Sequence, residues 1–321
     1  MSRCLHLTLL VTALLFLLSA GSVRAHPGRG LVALPDGRIV FSDVFNSAVW
    51  VTDLDGNTER FVPDRIHTHA FSLAADGSII AEEHDSVGDR PVVTLYRLRD
   101  GEPAERIAGT YRSKTEIPGH LSDQQGNHYG TLFYDRTLNG RAIYRWDPDG
   151  TRTLFAGGGE PFVDGKPGEA GFRRISGMAW TPDSAIVVAD ANAIRRVTRN
   201  GRVMTVAHDH PLLNAGPHPY FESLGRPRLY GVHAAADGSI VVANFSQSRL
   251  VKLTVAENGN VDLASVHLSA PGWAPVNCVT LPEGSLVILE APAIDGDNSQ
   301  GMRVLQLRPG SPPRLVAHTP R

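Results

Sequence analysis

The stretch RIHTHAFSLAADGSIIAEEHDSV, residues 65–87, places His67 and His69 before one apolar run and Glu82, Glu83 and His84 after the next. Imidazoles and carboxylates are the side chains that hold transition ions and move protons near neutral pH. Between the runs lies Asp76-Gly77, a hairpin signal because both residues tolerate positive φ. As a two-residue turn it sets Ala70 opposite Glu83 and His69 opposite His84. Opposed hairpin residues have Cβ atoms about 5 Å apart, close enough for two imidazoles to share one metal ion or one anion. His120 starts the adjacent hairpin unit, so His69, His84, His120 and Glu83 form a candidate ligand set for a divalent metal, zinc or calcium. Two other readings compete with it. Strand alternation sends Glu83 and His84 to opposite faces, which leaves a pair of surface histidines, or the imidazoles act as acid and base without a metal, with Glu83 as the base.

The elements that must position these residues recur along the chain. An apolar run, a turn pair of Asp-Gly type and a second apolar run ending in a polar residue appear six times: LVALPDGRIVFSD, AFSLAADGSIIAEE, GHLSDQQGNHYGTL, GMAWTPDSAIVVAD, GVHAAADGSIVVAN and NCVTLPEGSLVILE. A looser second hairpin follows each copy, as in VWVTDLDGNTERFV and AIRRVTRNGRVMTVA. Four short strands over about 49 residues make one propeller blade. The expected fold is therefore all-β, a six-bladed β-propeller with four antiparallel strands per blade. A seven-bladed or sandwich all-β fold is the alternative, and no seventh copy is present.

The two-residue counting applied to all six units pairs Gly30 with Asp43, Gly119 with Leu132, Gly177 with Asp190, Gly231 with Asn244, and Asn277 with Glu290. Inner strands begin, and second strands end, at one face of the disc, so these groups should gather at one mouth of the central channel, the default binding site. Asp43, Asp190 and Asn244 are expected to bond the turn that follows them, as Asx side chains do. Glu83 and Glu290 are longer and fit that role less well.

The fourth unit, FAGGGEPFVDGKPGEAGFRRISGMAWTPDSAIVVADANAIRRVTRNGRVMTVA, resembles an NHL repeat, and LYGVHAAADGSIVVANFSQSRLVKL resembles it nearly as closely. The resemblance implies a propeller of the superfamily that holds scaffolds, gluconolactonase-like calcium enzymes and peptide-amidating lyases. Gluconolactonase-like calcium sites use acids or amides at the inner-strand starts. Those positions here hold Arg29, His69, Pro118, Ser176, Tyr230 and Val276, so that calcium site is not carried over. Amidating lyases use strand-start histidines with an arginine and a tyrosine near the substrate, and His69, Arg29 and Tyr230 match that pattern in part.

Residues 1–25 read as a secretory signal peptide: Arg3, an apolar run from Leu5 to Ala20, and Val-Arg-Ala at the expected cleavage point. The expectation is a secreted or periplasmic chain in which residues 26–321 form one NHL-type domain. Its core must hold without an internal disulfide, because Cys278 is the only thiol after Cys4 leaves. With 31 Lys and Arg against 33 Asp and Glu, the net charge of −2 gives no nucleic-acid surface. No later segment approaches the ~20 apolar residues of a membrane span. Asn244-Phe-Ser forms a glycosylation sequon, and His208, His210 and His218 cluster in a proline-rich loop. Walker, HExxH and GxSxG motifs are absent.

Two functional classes follow. One is an exported hydrolase or lyase acting on a small polar substrate at the channel mouth, with Arg29 and Tyr230 orienting an anionic group. The other is a non-catalytic propeller that holds a ligand or a protein partner.

Overall fold

The computed structural model describes residues 28–87, 90–107, 121–131, 141–214, 229–293 and 301–319, without the side chains of 84–87 and 90–93. The signal-peptide residues, His120, Leu132 and His218 lie outside it. Six four-stranded antiparallel sheets follow one another, each built from consecutive strands. Blade one is β1 (Leu31–Ala33), β2 (Ile39–Asp43), β3 (Ala48–Thr52) and β4 (Thr58–Arg60). Blade two is β5 (Thr68–Leu73), β6 (Ile79–Val87), β7 (Arg90–Leu98) and β8 (Glu105–Arg106). Blade three is β9 (Leu121–Ser122), β10 (His128–Gly130), β11 (Ala142–Trp146) and β12 (Arg152–Gly157). Blade four is β13 (Ile175–Trp180), β14 (Ile186–Asp190), β15 (Ala193–Val197) and β16 (Val203–His208). Blade five is β17 (Val232–Ala234), β18 (Ile240–Asn244), β19 (Arg249–Val255) and β20 (Val261–Leu268). Blade six is β21 (Trp273–Thr280), β22 (Leu286–Pro292), β23 (Arg303–Leu307) and β24 (Arg314–His318). Among the described residues the only helical turn is the 3₁₀ segment Phe245–Gln247, and no helix is long and apolar enough to cross a membrane.

The cores lie between blades, because each sheet has two faces and each face meets a neighbour. Val40, Val49 and Val51 of blade one pack with Ile79, Ala81 and Leu98 of blade two. Val187 and Ala189 of blade four join Val242 and Val251 of blade five. Among the described residues no strand is exchanged to close the ring. Closure rests on Leu31, Ile39 and Phe41 of blade one packed against Val287, Val304 and Val316 of blade six, helped by Asn277 Nδ2 donating to Arg29 O at 2.8 Å. Cys278 belongs to this core, and burial pushes its thiol up to about 12, as expected of a small apolar residue.

The inner hairpins turn differently from the two-residue expectation. In blade two, Ala74 N donates to Ser78 O at 2.8 Å and Gly77 N to Ala74 O at 3.0 Å. Gly77 is left-handed, with φ 80°. This is a three-residue loop, a type I turn followed by one left-handed residue, in which Asp-Gly fills the second and third places. Asp76 Oδ1 fixes it by accepting Ser78 N at 3.0 Å. The same two backbone bonds recur at 34–38, 123–127, 181–185, 235–239 and 281–285. A loop one residue longer shifts the pairing by one, and a one-residue shift moves every side chain to the other face. Gly30 therefore pairs with Ser42, Gly177 with Ala189, Gly231 with Ala243 and Asn277 with Leu289, not with Asp43, Asp190, Asn244 and Glu290. Thr68, not Ala70, faces Glu83.

Candidate functional site

Among the described residues, three inner strands carry a β-bulge at the same repeat position. In blade two the register jumps between Thr68–Glu83 and Phe71–Ala81, so His69 and Ala70 together oppose Glu82. In blade four Ser176 is the extra residue, and in blade six it is Val276. A bulge takes a residue out of the ladder and aims it elsewhere. Here each released carbonyl accepts a hydrogen bond from another blade. His69 O accepts Arg29 N at 2.6 Å, Val276 O accepts Gly231 N at 2.9 Å, and Ser176 O accepts from the Arg29 guanidinium.

That last bond crosses the channel. In a ring of six, blades one and four face each other, so Arg29 reaches from one wall to the opposite one. On the way its guanidinium lies 5.9 Å from the Tyr230 ring centroid, within range of a cation–π contact. Tyr230 is held by Phe245, with ring centroids 5.0 Å apart. His69 packs edge-on against His67 at 4.8 Å. Both His69 and Tyr230 are 6% exposed, and Arg29 is half-buried. Close backbone approach sets the glycines beside them: a Cβ on Gly177 would meet Tyr230 O at 2.3 Å, and one on Gly231 would meet Asn277 Oδ1 at 2.3 Å.

Of the residues expected from sequence, Arg29, His69 and Tyr230 thus converge. Glu83 pairs with Thr68 and is partly exposed. The expected facing of His69 and His84 does not occur, because the three-residue loop and the bulge displace it. His84 sits in the outer part of β6, with its backbone opposite Val93; its side chain, like all of His120, is outside the described residues. Among the described residues no three His, Cys, Asp or Glu side chains gather to hold a metal ion, so the described part of the zinc or calcium set does not fit a metal by itself. Sequence reasoning missed Glu82, fully buried across from the bulge. Its regular alternation along β6 puts it on the face opposite Glu83. The only sequence signal was the Glu-Glu pair itself.

The other strand-end polar groups serve their own corners. Asp43 accepts from Asn46 N and Nδ2 at 3.2 and 2.7 Å. Asp190 accepts from Arg195 at 3.0 Å and from Arg174 N at 2.6 Å, and burial, only partly offset by these bonds, raises its pKa. Asn244 caps the 3₁₀ turn and donates to Leu212 O and Asn214 O at 2.9 and 3.0 Å. Its amide nitrogen is thereby buried and occupied. Glu290 binds His267 at 2.8 Å, Ser269, and Arg303 at 2.6 Å. Its pKa is lowered: burial raises it, but these three partners outweigh that effect. His208 is exposed beside Asp209 at 2.8 Å, and His210 Nδ1 accepts Leu212 N at 3.2 Å, so both serve the loop.

No protein-family model and no curated protein matches the chain. Solved structures do. A putative gluconolactonase aligns with TM-score 0.55 and 18% identity over 91% of this chain and 90% of its own. A gluconolactonase from Xanthomonas campestris aligns with TM-score 0.57 and 16% identity over 83% of each. A catalytically inactive histidine-to-alanine variant of virginiamycin B lyase from Staphylococcus aureus, with quinupristin, aligns with TM-score 0.52 and 12% identity over 92% of this chain and 85% of its own. A glucose dehydrogenase aligns with TM-score 0.59 and 13% identity over 89% and 97%. The fold is that of a gluconolactonase-like six-bladed propeller.

Proposed function

We propose that this chain is an exported hydrolase or lyase, secreted or periplasmic, that acts on a small anionic substrate at the channel mouth. The observation that carries the reading is the Arg29 guanidinium, which reaches Ser176 O beside Tyr230 while the Arg29 backbone bonds His69 O. A guanidinium presents its N–H donors in a planar fork that matches a carboxylate or an enolate oxygen. Tyr230 supplies a flat apolar wall and a hydroxyl. His69, at the bulge, is the proton-transfer group, and Glu82 lies opposite that bulge on the next strand. The structural neighbours, gluconolactonases and a lyase inactivated by loss of one histidine, support a hydrolase or lyase on this fold, though a fold alone does not fix an activity.

A metal-dependent form of the same proposal adds a divalent ion, zinc or calcium, as cofactor. The test is a screen of lactones, esters and amidated-peptide precursors, run on protein purified without chelator and assayed for bound metal. Turnover that falls with His69→Gln and Arg29→Gln supports the enzyme reading. Stoichiometric metal lost in the His84→Ala variant selects its metal-dependent form. Ligand binding at the mouth without turnover of any class would instead leave a binding propeller.

A further inference from the structure

The opposite face of the disc, where the inner hairpins turn, carries a second concavity. Between blades five and six lies a cleft of about 990 Å³, at the upper end of small-molecule sites. Register defines its two walls. On blade five, His233 faces Val241 and Val241 faces Lys252, so these three side chains form one cross-strand row. On blade six, Thr280 faces Leu286 and Leu286 faces Leu307. One wall is thus largely polar and cationic, and the other is largely apolar. Arg308 adds a second cation to the lining, and Asp237, 3.4 Å from Lys252, is the single acid.

His233 is specific to this blade. The same repeat position holds Val32, Ser72, Leu121, Ala179 and Val279 in the others, so the propeller does not need a histidine there. Its Nε2 accepts Thr280 N at 3.1 Å. A nitrogen that accepts keeps its lone pair, which leaves the proton of the neutral ring on Nδ1. Burial pushes its pKa down to about 4, so the neutral tautomer persists at physiological pH. Nδ1–H donates to no protein group among the described residues.

We propose that this cleft is a ligand site, separate from the channel mouth, for a small amphipathic carboxylate. The carboxylate lies over Val241, accepts from His233 Nδ1–H and faces the Lys252 ammonium, while its apolar body lies against Leu286 and Leu307. The arrangement rejects cations through Lys252 and Arg308 and gives a neutral alcohol no charge attraction beyond the His233 hydrogen bond and the apolar wall.

The probe is octanoate, with 1-octanol and octylamine as controls, followed by titration calorimetry on the whole protein. The expected result is saturable one-to-one binding of octanoate, at least tenfold tighter than of either control. His233→Phe combined with Lys252→Gln weakens it at least tenfold. Ala236→Trp, at an exposed turn position lining the cleft, abolishes it with no core residue changed. Absence of saturable binding overturns the proposal, as does octanol binding as tightly as octanoate. So does binding that survives Ala236→Trp but disappears in Arg29→Gln, which would put the carboxylate at the mouth.

Discussion

Blades two and four begin alike and diverge at the end of the second strand. In blade four, β14 stops at Asp190, Ala191 turns left-handed with φ 55°, and the acid is spent on Arg195 and Arg174 N. In blade two the equivalent residue is Glu83, and the strand does not stop there. It runs on to Val87 and pairs with β7 along its whole length. The acid therefore has no corner to bond. An inner-strand bulge occurs in both blades, but blade four gives Ser176 O to a distant arginine, whereas blade two gives His69 O to the backbone of Arg29 in the next blade. One repeat thus builds rigid structure in one sector and leaves chemistry available in another.

The largest expected effect tests the rigid sector. Arg195 and Asp190 are both fully buried, and removing one partner of such a pair costs about 3–5 kcal/mol. Asp190→Ala should lower unfolding stability by that amount, measured in urea, while Glu83→Gln in blade two changes it by less than about 0.5 kcal/mol. Equal losses at the two positions would erase the contrast between the blades.

The next effect tests the chemical sector. His69→Gln should reduce kcat about 100-fold, the low end for a proton-transfer group, with the thermal transition nearly unchanged. A smaller effect follows from His233. Its folded pKa, about 4, lies below the unfolded value, so only the unfolded chain binds a proton between those values. Stability should therefore fall as pH drops from about 6.5 toward 4, by roughly 2 kcal/mol after discounting the ring's partial exposure. His233→Phe removes that slope, as denaturant midpoints across this range would register. The smallest effect returns to blade four, where the left-handed turn residue is Ser184, with φ 60°, rather than glycine. Ser184→Gly should raise stability by about 0.5 kcal/mol, read from the thermal midpoint.

Much of the fold was legible because turn signals and apolar runs are local and repeat six times. The nearness of Arg29 to Tyr230 and of its backbone to His69 was legible through their shared place at inner-strand starts. The facing of His69 and His84 was misread for a definite reason. Asp-Gly suits a two-residue turn and equally the last two places of a three-residue one, and the pair of letters does not say which. Glu82 was passed over in favour of Glu83 because that single residue of shift decides which carboxylate turns inward.

The order of strands, the number of blades and the chemical types available at the mouth were written in the chain itself, since each depends on contacts between near neighbours. The tertiary structure alone decided that Arg29 would bridge to Ser176, 147 residues away, and that the bulges of blades two and six would aim their carbonyls at adjacent blades. It alone also made a cleft from one wall of blade five and another of blade six. Those pairings arise only when the ring closes, because ring closure brings together side chains that no local pattern links.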